Sequence, residues 1–281
     1  WKAGGTATTN TTGTRQSSVS ANNTYGFSIT TWTGDGGSST TVGHGLTSAP
    51  DWVIIKNRDG ASSWHVYARA VDSTGRYGLY LNGDNSKVDF TNPFFDADNN
   101  TINLYSASVG INGNGTDYVA WSWTEIPGFS KFGTYAGTGS AHTVNLGFRP
   151  RYLIYKSATA SSTNWHVFDT ARNNGGTRML PNLSNGDSGP SADAYAPTFT
   201  DTGFTVAAVS DTHTNASGHT YFYAAFADKP DQSIIDSLID SPQSYEADSG
   251  NNGGNYCVFN PLSKDDSIYY TENGNLVTGN N

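Results

Sequence analysis

The chain has 281 residues, a formal net charge of −9 and a single cysteine, and 14% of its residues are charged. A net-negative chain without a basic cluster is unsuited to DNA or RNA as its main partner, so we expect no nucleic acid. No apolar run approaches the roughly 18 residues that a membrane span needs, so we expect no membrane insertion. Because Cys257 stands alone, no internal disulfide can form, which fits assembly in a reducing cytoplasm.

The polar residues are mostly glycine, serine, threonine, asparagine and aspartate, which favour turns over helices. Residues 1–25 are rich in these types and have little apolar content, and we predict an extended lead-in that packs against another part of the protein. Its start at Trp1 is expected to follow a preceding segment.

An internal repeat dominates the rest of the chain. Gly-Leu at Gly45 recurs as Gly-Phe at Gly147, a shift of 102. The pattern Pro-x-aromatic-x-Ile-x-Lys recurs with a shift of 100, and Trp-His-Val with a shift of 101. Slips of only one or two residues over this length indicate a tandem duplication with a β-sandwich repeat in residues 26–127 and another in residues 128–230.

Each copy reads as a series of short strands. Residues 27–32 alternate as strands do, and residues 52–56 are apolar at consecutive positions, as in a strand buried on both faces. Turn residues about every ten positions separate six to eight such strands. We therefore predict an all-β fold with two antiparallel, jelly-roll-like sandwiches that dock rigidly because no linker separates them.

The remaining residues, 231–281, carry the only helical pattern. Ile234, Ile235, Leu238 and Ile239 predict a short helix, and an extended connector to a further domain follows it.

Duplication places His65 and His166 at equivalent positions, where each is either a structural histidine of the sandwich or a ligand contact. Neither belongs to a pair of histidines with the spacing of metal ligands. The loop with Asp211, His213 and His219 is a weaker candidate for a metal site.

Asp96, Asp98 and Asn100 resemble the start of a calcium-binding loop, although the glycine and distal glutamate of a complete loop are missing. These residues therefore form either a calcium site or an ordinary turn, and no other cofactor is expected.

Aromatic residues make up 13% of the chain, and most alternate along strands as core residues do. Four without an aromatic counterpart in the other copy could instead stack on sugar rings: Trp32, Trp121, Tyr195 and Tyr223. No catalytic residue emerges. A nucleophile elbow is missing, and no carboxylate pair suited to glycoside hydrolysis stands out.

Residues 26–36, 42–46, 128–133 and 147–152 resemble repeat domains in structural proteins of tailed bacteriophages, especially marine and cyanobacterial ones. The segments 255–262 and 273–276 look like the connector before a lectin-like or SPRY-like domain of such proteins. The resemblance implies a β-rich virion part, a tail fibre or another surface appendage, and it brings no catalytic residues.

From these observations we expect a non-enzymatic virion protein, assembled in the host cytoplasm, that attaches to host-surface glycans as a tail-fibre or adhesin segment. Its partners would be other virion proteins and further copies of itself, with a trimer as the expected stoichiometry. A capsid or neck decoration protein and a glycan-degrading tailspike are the alternatives.

Overall fold

In the computed structural model, the described residues are 2–172, 175–184, 193–227, 268–270 and 276–278. The chain divides into two compact units, Trp1–Pro230 and Asp231–Asn281. The predicted helix at 231–242 lies outside the described residues. Within these residues there is no α-helix, and all strand ladders are antiparallel, which confirms the all-β prediction.

Eleven strands form before residue 127: β1 Thr8–Asn10, β2 Ser17–Asn22, β3 Phe27–Thr33, β4 Thr40–Gly43, β5 Trp52–Asn57, β6 His65–Ala68, β7 Tyr77–Tyr80, β8 Val88–Asp89, β9 Phe95–Ala97, β10 Thr101–Leu104 and β11 Asp117–Trp123. Eight follow in the second half: β12 Ser130–Ala136, β13 His142–Asn145, β14 Tyr152–Ser157, β15 His166–Asp169, β16 Arg178–Met179, β17 Thr198–Thr200, β18 Gly203–Val206 and β19 Thr220–Phe226. In the second unit, β20 Ile268–Tyr270 pairs with β21 Leu276–Thr278.

The first half (residues 26–127) builds a large and a small sheet, and so does the second (residues 128–230). The lead-in strands β1 and β2 join the large sheet of the first half, which has the order β1-β2-β3-β11-β5-β6-β7-β8. The large sheet of the second half has the order β12-β19-β14-β15-β16. The small sheets are β4-β10-β9 and β13-β18-β17. Strand β3 therefore occupies the position of β12, and β11 that of β19.

Three apolar cores separate these sheets. In the first half, Val53 and Ile55 on β5 pack with Ile102 and Leu104 on β10, between the large and the small sheet. In the second half, the equivalent core lies between the large sheet and the β13-β18-β17 sheet. Each half is thus a β-sandwich with its own core, as expected when both faces of its central strands are apolar.

The third core is shared by the two halves. Trp52 on β5 stacks on Trp123 with ring centroids 4.4 Å apart, and its ring also lies 6.1 Å from Phe132 and 6.1 Å from Phe222 of the second half. The outer faces of the two large sheets therefore pack on each other, and residues 1–230 form four β-layers. This explains the consecutive apolar residues in β5, because one face of the strand packs in the inner core of the first half and the other face packs in the shared core.

The lead-in segment is not merely extended. Its strands β1 and β2 add to the edge of the large sheet, with Ser20 opposite Ile29 and Ser18 opposite Thr31. Small hydroxyl residues make the more exposed side of β2 polar. Composition alone does not distinguish such a strand from an irregular coil.

Candidate functional site

Two of the aromatic residues predicted to contact a ligand are core residues. The side chain of Trp32 is 4% exposed and stacks on Tyr118 with centroids 5.4 Å apart. Tyr223 is 4% exposed and lies edge-on to Phe204. Neither ring offers a face to solvent, so the prediction of sugar stacking is wrong for both. The alternating positions of strands β3 and β19 place them on inward faces.

Trp121 is different, because it is only partly buried and stacks on Trp64. The two indole rings lie 5.5 Å apart between centroids and are inclined by 12°. Neither indole nitrogen makes a hydrogen bond within the described part of the chain. We call this pair the Trp64–Trp121 platform.

The strands around the platform supply small polar groups and little charge. Trp121 lies opposite Ile29 in the register, and the partly exposed Ser18 and Ser20 lie on the next strand outward. Lys56 on β5 is partly exposed, but its Nζ donates hydrogen bonds to Asn57 O at 2.8 Å and to Gly60 O at 3.1 Å. The neighbours named here are therefore small, polar or already hydrogen-bonded, and both indole rings also pack against the core shared by the two halves.

The corresponding surface of the second half is closed. Trp165, the counterpart of Trp64, is fully buried, and its Nε1 donates to Tyr80 O of the first half at 2.8 Å. Lys156, the counterpart of Lys56, is also fully buried and donates to Thr163 O at 2.7 Å and Asp84 O at 3.3 Å. Burial lowers the pKa of Lys156 to about 8.

The two equivalent histidines lie against the inner cores, in unlike surroundings. His65 is 7% exposed and packs on Tyr80 and Phe94, with centroid distances of 5.2 Å and 5.1 Å. A Cβ at Gly110 would overlap its Nε2, so any other residue there would have to displace the imidazole ring. Burial, aided by the charge of Lys56, lowers the pKa of His65 to about 4.

His166 is fully buried, and neither ring nitrogen has a hydrogen-bond partner among the described residues. The ring stacks on Tyr155 at 5.2 Å and meets Tyr195 edge-on at 5.7 Å. Burial first, and then the charge of Arg178, lowers the pKa of His166 to about 3. The ring is therefore neutral at physiological pH.

Around His166 the structure gathers a polar group that sequence patterns do not reveal, because its members come from three separate segments. His213 lies 5.7 Å from His166 between ring centroids, and its Nδ1 is 2.8 Å from an oxygen of Asp211. Arg178 lies over the partly buried Tyr195 ring at 4.6 Å and pairs with Asp193. Two predicted residues, His166 and Tyr195, thus lie together, whereas Trp32, Trp121 and Tyr223 do not join them.

The acidic residues proposed for calcium are hydrogen-bonded to protein donors. The side-chain amide of Asn103 donates to Asp96 at 2.8 Å and to Asp98 at 3.3 Å, so an N–H group lies between the two carboxylates. Asp98 also accepts from the backbone N–H of Asn100 at 2.8 Å, as in an ordinary Asx turn. Burial raises the pKa of Asp98, but the bonds from Asn100 and Thr101 outweigh it and lower the pKa.

Within the described ranges, no group of three or more His, Cys, Asp or Glu side chains could hold a metal ion. His219 faces Thr159, with its Nδ1 3.2 Å from the hydroxyl, and forms no hydrogen bond with Asp211 or His213 in the described part of the chain. The same residues include no helix long and apolar enough to cross a membrane.

Comparison with known proteins gives one match. The model of a family described as a domain of unknown function, DUF7483, matches residues 1–230. This range coincides with the first compact unit. No curated protein and no solved structure matches the chain.

Proposed function

The chain belongs to the DUF7483 family, whose description assigns no function, and we propose that it is a non-enzymatic structural protein of a phage virion. It acts as a tail-fibre or adhesin segment that assembles with further copies of itself and other virion proteins and attaches to host-surface glycans. No cofactor takes part in this role. The observation that carries glycan attachment is the Trp64–Trp121 platform.

A platform of this kind suits a pyranose ring. Carbohydrates present flat C–H faces that pack on aromatic rings, and their hydroxyl groups accept from N–H donors. Trp121 lies on β11 and Trp64 directly before β6, while Ser18, Ser20 and Thr31 lie on the neighbouring strands β2 and β3, with the Ser20 hydroxyl donating to Gly5 O at 2.8 Å. Because the sheet is rigid, a sugar bound here would meet groups that are already in place.

We also propose that the two halves are tandem, jelly-roll-like copies of one duplicated module. A matching order of five strands supports it, β3-β11-β5-β6-β7 in the first large sheet and β12-β19-β14-β15-β16 in the second. So do Tyr118 and Tyr221, which are 103 residues apart. The Tyr118 hydroxyl accepts from Gly113 N at 2.8 Å, and that of Tyr221 from Ala216 N at 3.0 Å. Trp32 stacks on Tyr118 as Tyr135 stacks on Tyr221, at 5.4 Å and 5.0 Å.

Buried amides support the duplication as well. Asn112 is fully buried and donates to Asp35 at 2.9 Å and to Gly37 O at 2.9 Å. Asn215, again 103 residues later, is fully buried and donates to Ser140 O at 2.9 Å and Ala207 O at 2.8 Å. Both amides fasten the loop after the first strand of their half, a packing role that two unrelated domains would not be expected to share.

Glycan binding is tested with the full chain on an array of bacterial surface glycans, comparing wild type with Trp64→Ala and Trp121→Ala. We expect each substitution to weaken binding at least tenfold. The matched control is Tyr105→Ala, which removes a 38%-exposed aromatic ring outside the platform and should leave binding unchanged.

Thermal unfolding of each variant ensures that lost binding does not reflect lost folding. Absence of any glycan bound by wild type, or unchanged binding by both tryptophan variants, would overturn the attachment proposal. Incubation with host polysaccharide tests the non-enzymatic part, since shortening of the polymer would assign a tailspike activity instead. Antibody labelling of intact particles distinguishes a fibre from the capsid or neck.

A further inference from the structure

The outer edge of strand β12 is open in the described structure. Ala227 N donates to Phe129 O at 2.7 Å, and Gly137 N donates to His219 O at 2.9 Å. These two bonds fix the alternation of the β12–β19 ladder. The backbone groups of residues 131, 133 and 135 face β19, and those of Phe132, Thr134 and Ala136 face outward. No hydrogen bond to these outward groups is formed by the residues that the structure describes.

The equivalent edge in the first half is occupied. Strand β3 has the same place in its sheet as β12, and its outward residues Ile29 and Thr31 pair with Ser20 and Ser18 of β2. The next outward carbonyl, Thr33 O, accepts from Nε of Arg15 at 2.7 Å. A shift of 103 converts these three positions into Phe132, Thr134 and Ala136, so the same edge is closed in one half and open in the other.

The small sheets differ in the same way. In the first half the lead-in also reaches the edge of β4, where Arg15 N donates to Thr41 O at 2.9 Å and Thr41 N donates to Thr14 Oγ1 at 2.9 Å. In the second half, Thr143 on β13 is exposed, and no segment among the described residues pairs with that side of the strand. Among the residues that the structure describes, this flank of the second half thus lacks the cover that its counterpart has.

The open edge lacks the usual protections. Edge strands in soluble proteins are commonly short, charged or interrupted by proline, which prevents pairing with other chains. The edges at β1, β8 and β16 are three, two and two residues long. Strand β12 has seven residues, and the stretch from Phe132 to Ala136 has neither charge nor proline. Its one lysine, Lys131, pairs with Glu125 at 3.6 Å.

From this geometry we propose that β12 is the surface through which two copies of the chain associate. The two β12 strands pair antiparallel about a two-fold axis at Thr134, so that Thr134 lies opposite its equivalent and Phe132 opposite Ala136. Two five-stranded sheets then become one sheet of ten strands. A self-complementary contact of this kind is isologous. Because the stretch is uncharged, two chains of net charge −9 can approach along it without local repulsion.

This surface rests on the homo-oligomeric assembly proposed above, but it specifies pairs of chains instead of the trimer expected from the sequence. Size-exclusion chromatography with light scattering on the full chain should give twice the mass of one chain. Thr134→Pro should give a monomer, because proline removes the outward N–H and with it the two central hydrogen bonds. The N–H of Thr134 takes no part in the β19 ladder, so the substitution should leave the fold intact. Thr134→Lys, which places like charges opposite each other, should also give a monomer.

A cysteine pair gives an independent readout. In a Cys257→Ser background, Thr134→Cys should form a disulfide-linked dimer on mild oxidation, and the exposed control Thr47→Cys should not. If wild type is strictly monomeric, both this surface and the proposed self-assembly fail. If wild type is oligomeric but Thr134→Pro and Thr134→Lys remain so, self-assembly stands and the β12 surface is overturned.

Discussion

The indole nitrogen of Trp165 donates a hydrogen bond to the backbone carbonyl of Tyr80 at 2.8 Å, which fastens the second half of the chain to a loop of the first. Trp64, the equivalent tryptophan, makes no such bond within the described residues and stacks on Trp121 instead. One tryptophan position therefore serves the contact between halves in the second half and forms a partly buried platform in the first.

Trp165→Phe should lower the free energy of unfolding by about 2–4 kcal/mol, because it removes one of the two hydrogen bonds that Tyr80 O accepts, the other coming from Gly83 N, and opens space beside Phe222. Trp64→Phe should cost less than about 1.5 kcal/mol, since the ring it replaces is partly exposed. Chemical denaturation of the two variants measures both values. Equal losses would show that the two tryptophans have the same environment.

His166→Phe should alter the dependence of stability on pH. The pKa of His166 is about 3 in the folded chain against an ordinary 6.5, mainly through burial and then through Arg178 and His213. Between these pH values the unfolded chain binds a proton that the folded chain does not. Wild type should therefore lose stability on acidification, by up to about 1.4 kcal/mol per pH unit from this group.

The phenylalanine ring keeps the stack on Tyr155 and cannot be protonated. The stability of this variant relative to wild type should therefore rise as pH falls from 6.5 towards 3. His65→Phe should show the same direction over a narrower window, because the pKa of His65 falls only to about 4. Denaturant titrations at several pH values provide the comparison. A constant difference between wild type and His166→Phe at all pH values would mean that His166 accepts a proton in the folded state.

Gly34 and Gly137 provide a test of the duplication. A Cβ at Gly34 would overlap the carbonyl oxygen of Gly113, and one at Gly137 would overlap that of Ala216. Because the obstacle is backbone in both cases, Gly34→Ala and Gly137→Ala should each cost about 1–3 kcal/mol. Gly5→Ala, where a Cβ meets nothing within 4 Å, should be nearly neutral. Thermal melts of the three variants test this, and a large cost at only one of the two paired positions would argue against equivalent packing.

The sequence predicted strands well where one residue pattern serves two cores. Consecutive apolar residues in Trp52–Lys56 indicated burial on both faces, and the structure confirms it, with Trp52 and Ile54 in the shared core and Val53 and Ile55 in the inner one. The pattern did not reveal that the second face meets the other half of the chain, because apolar periodicity does not identify the partner surface.

Register was harder to predict from the sequence. The Gly-Phe-Ser match of Phe27 with Phe129 gives a shift of 102, whereas the ladders place Phe27 opposite Trp123 and Ser130 opposite Phe226, a shift of 103. The turns before the two strands agree with the larger shift, since Gly26 N donates to Asn23 O and Phe129 N donates to Ile126 O. With the correct register Trp32 aligns with Tyr135, so it is a matched core residue and not an unmatched surface one.

Site residues were predicted least well, because their surroundings come from distant segments. Trp121 was identified as a candidate, but its partner Trp64 belongs to the repeated Trp-His-Val pattern, which favours a core assignment. Trp165 and its neighbour Lys156 are contacted by the distant segment Tyr80–Asp84, through Tyr80 O and Asp84 O. No local pattern around either tryptophan records that contact.

The most direct test of a shared core between two equivalent halves is the unfolding of the full chain with 5-fluorotryptophan as a ¹⁹F NMR probe. Trp32 reports the inner core of the first half, and Trp165 is the only tryptophan of the second. Their native resonances, assigned with Trp→Phe variants, should disappear over the same range of denaturant, because neither half keeps its outer face buried without the other. Loss of the Trp165 resonance while that of Trp32 persists, or the reverse, would contradict the shared core.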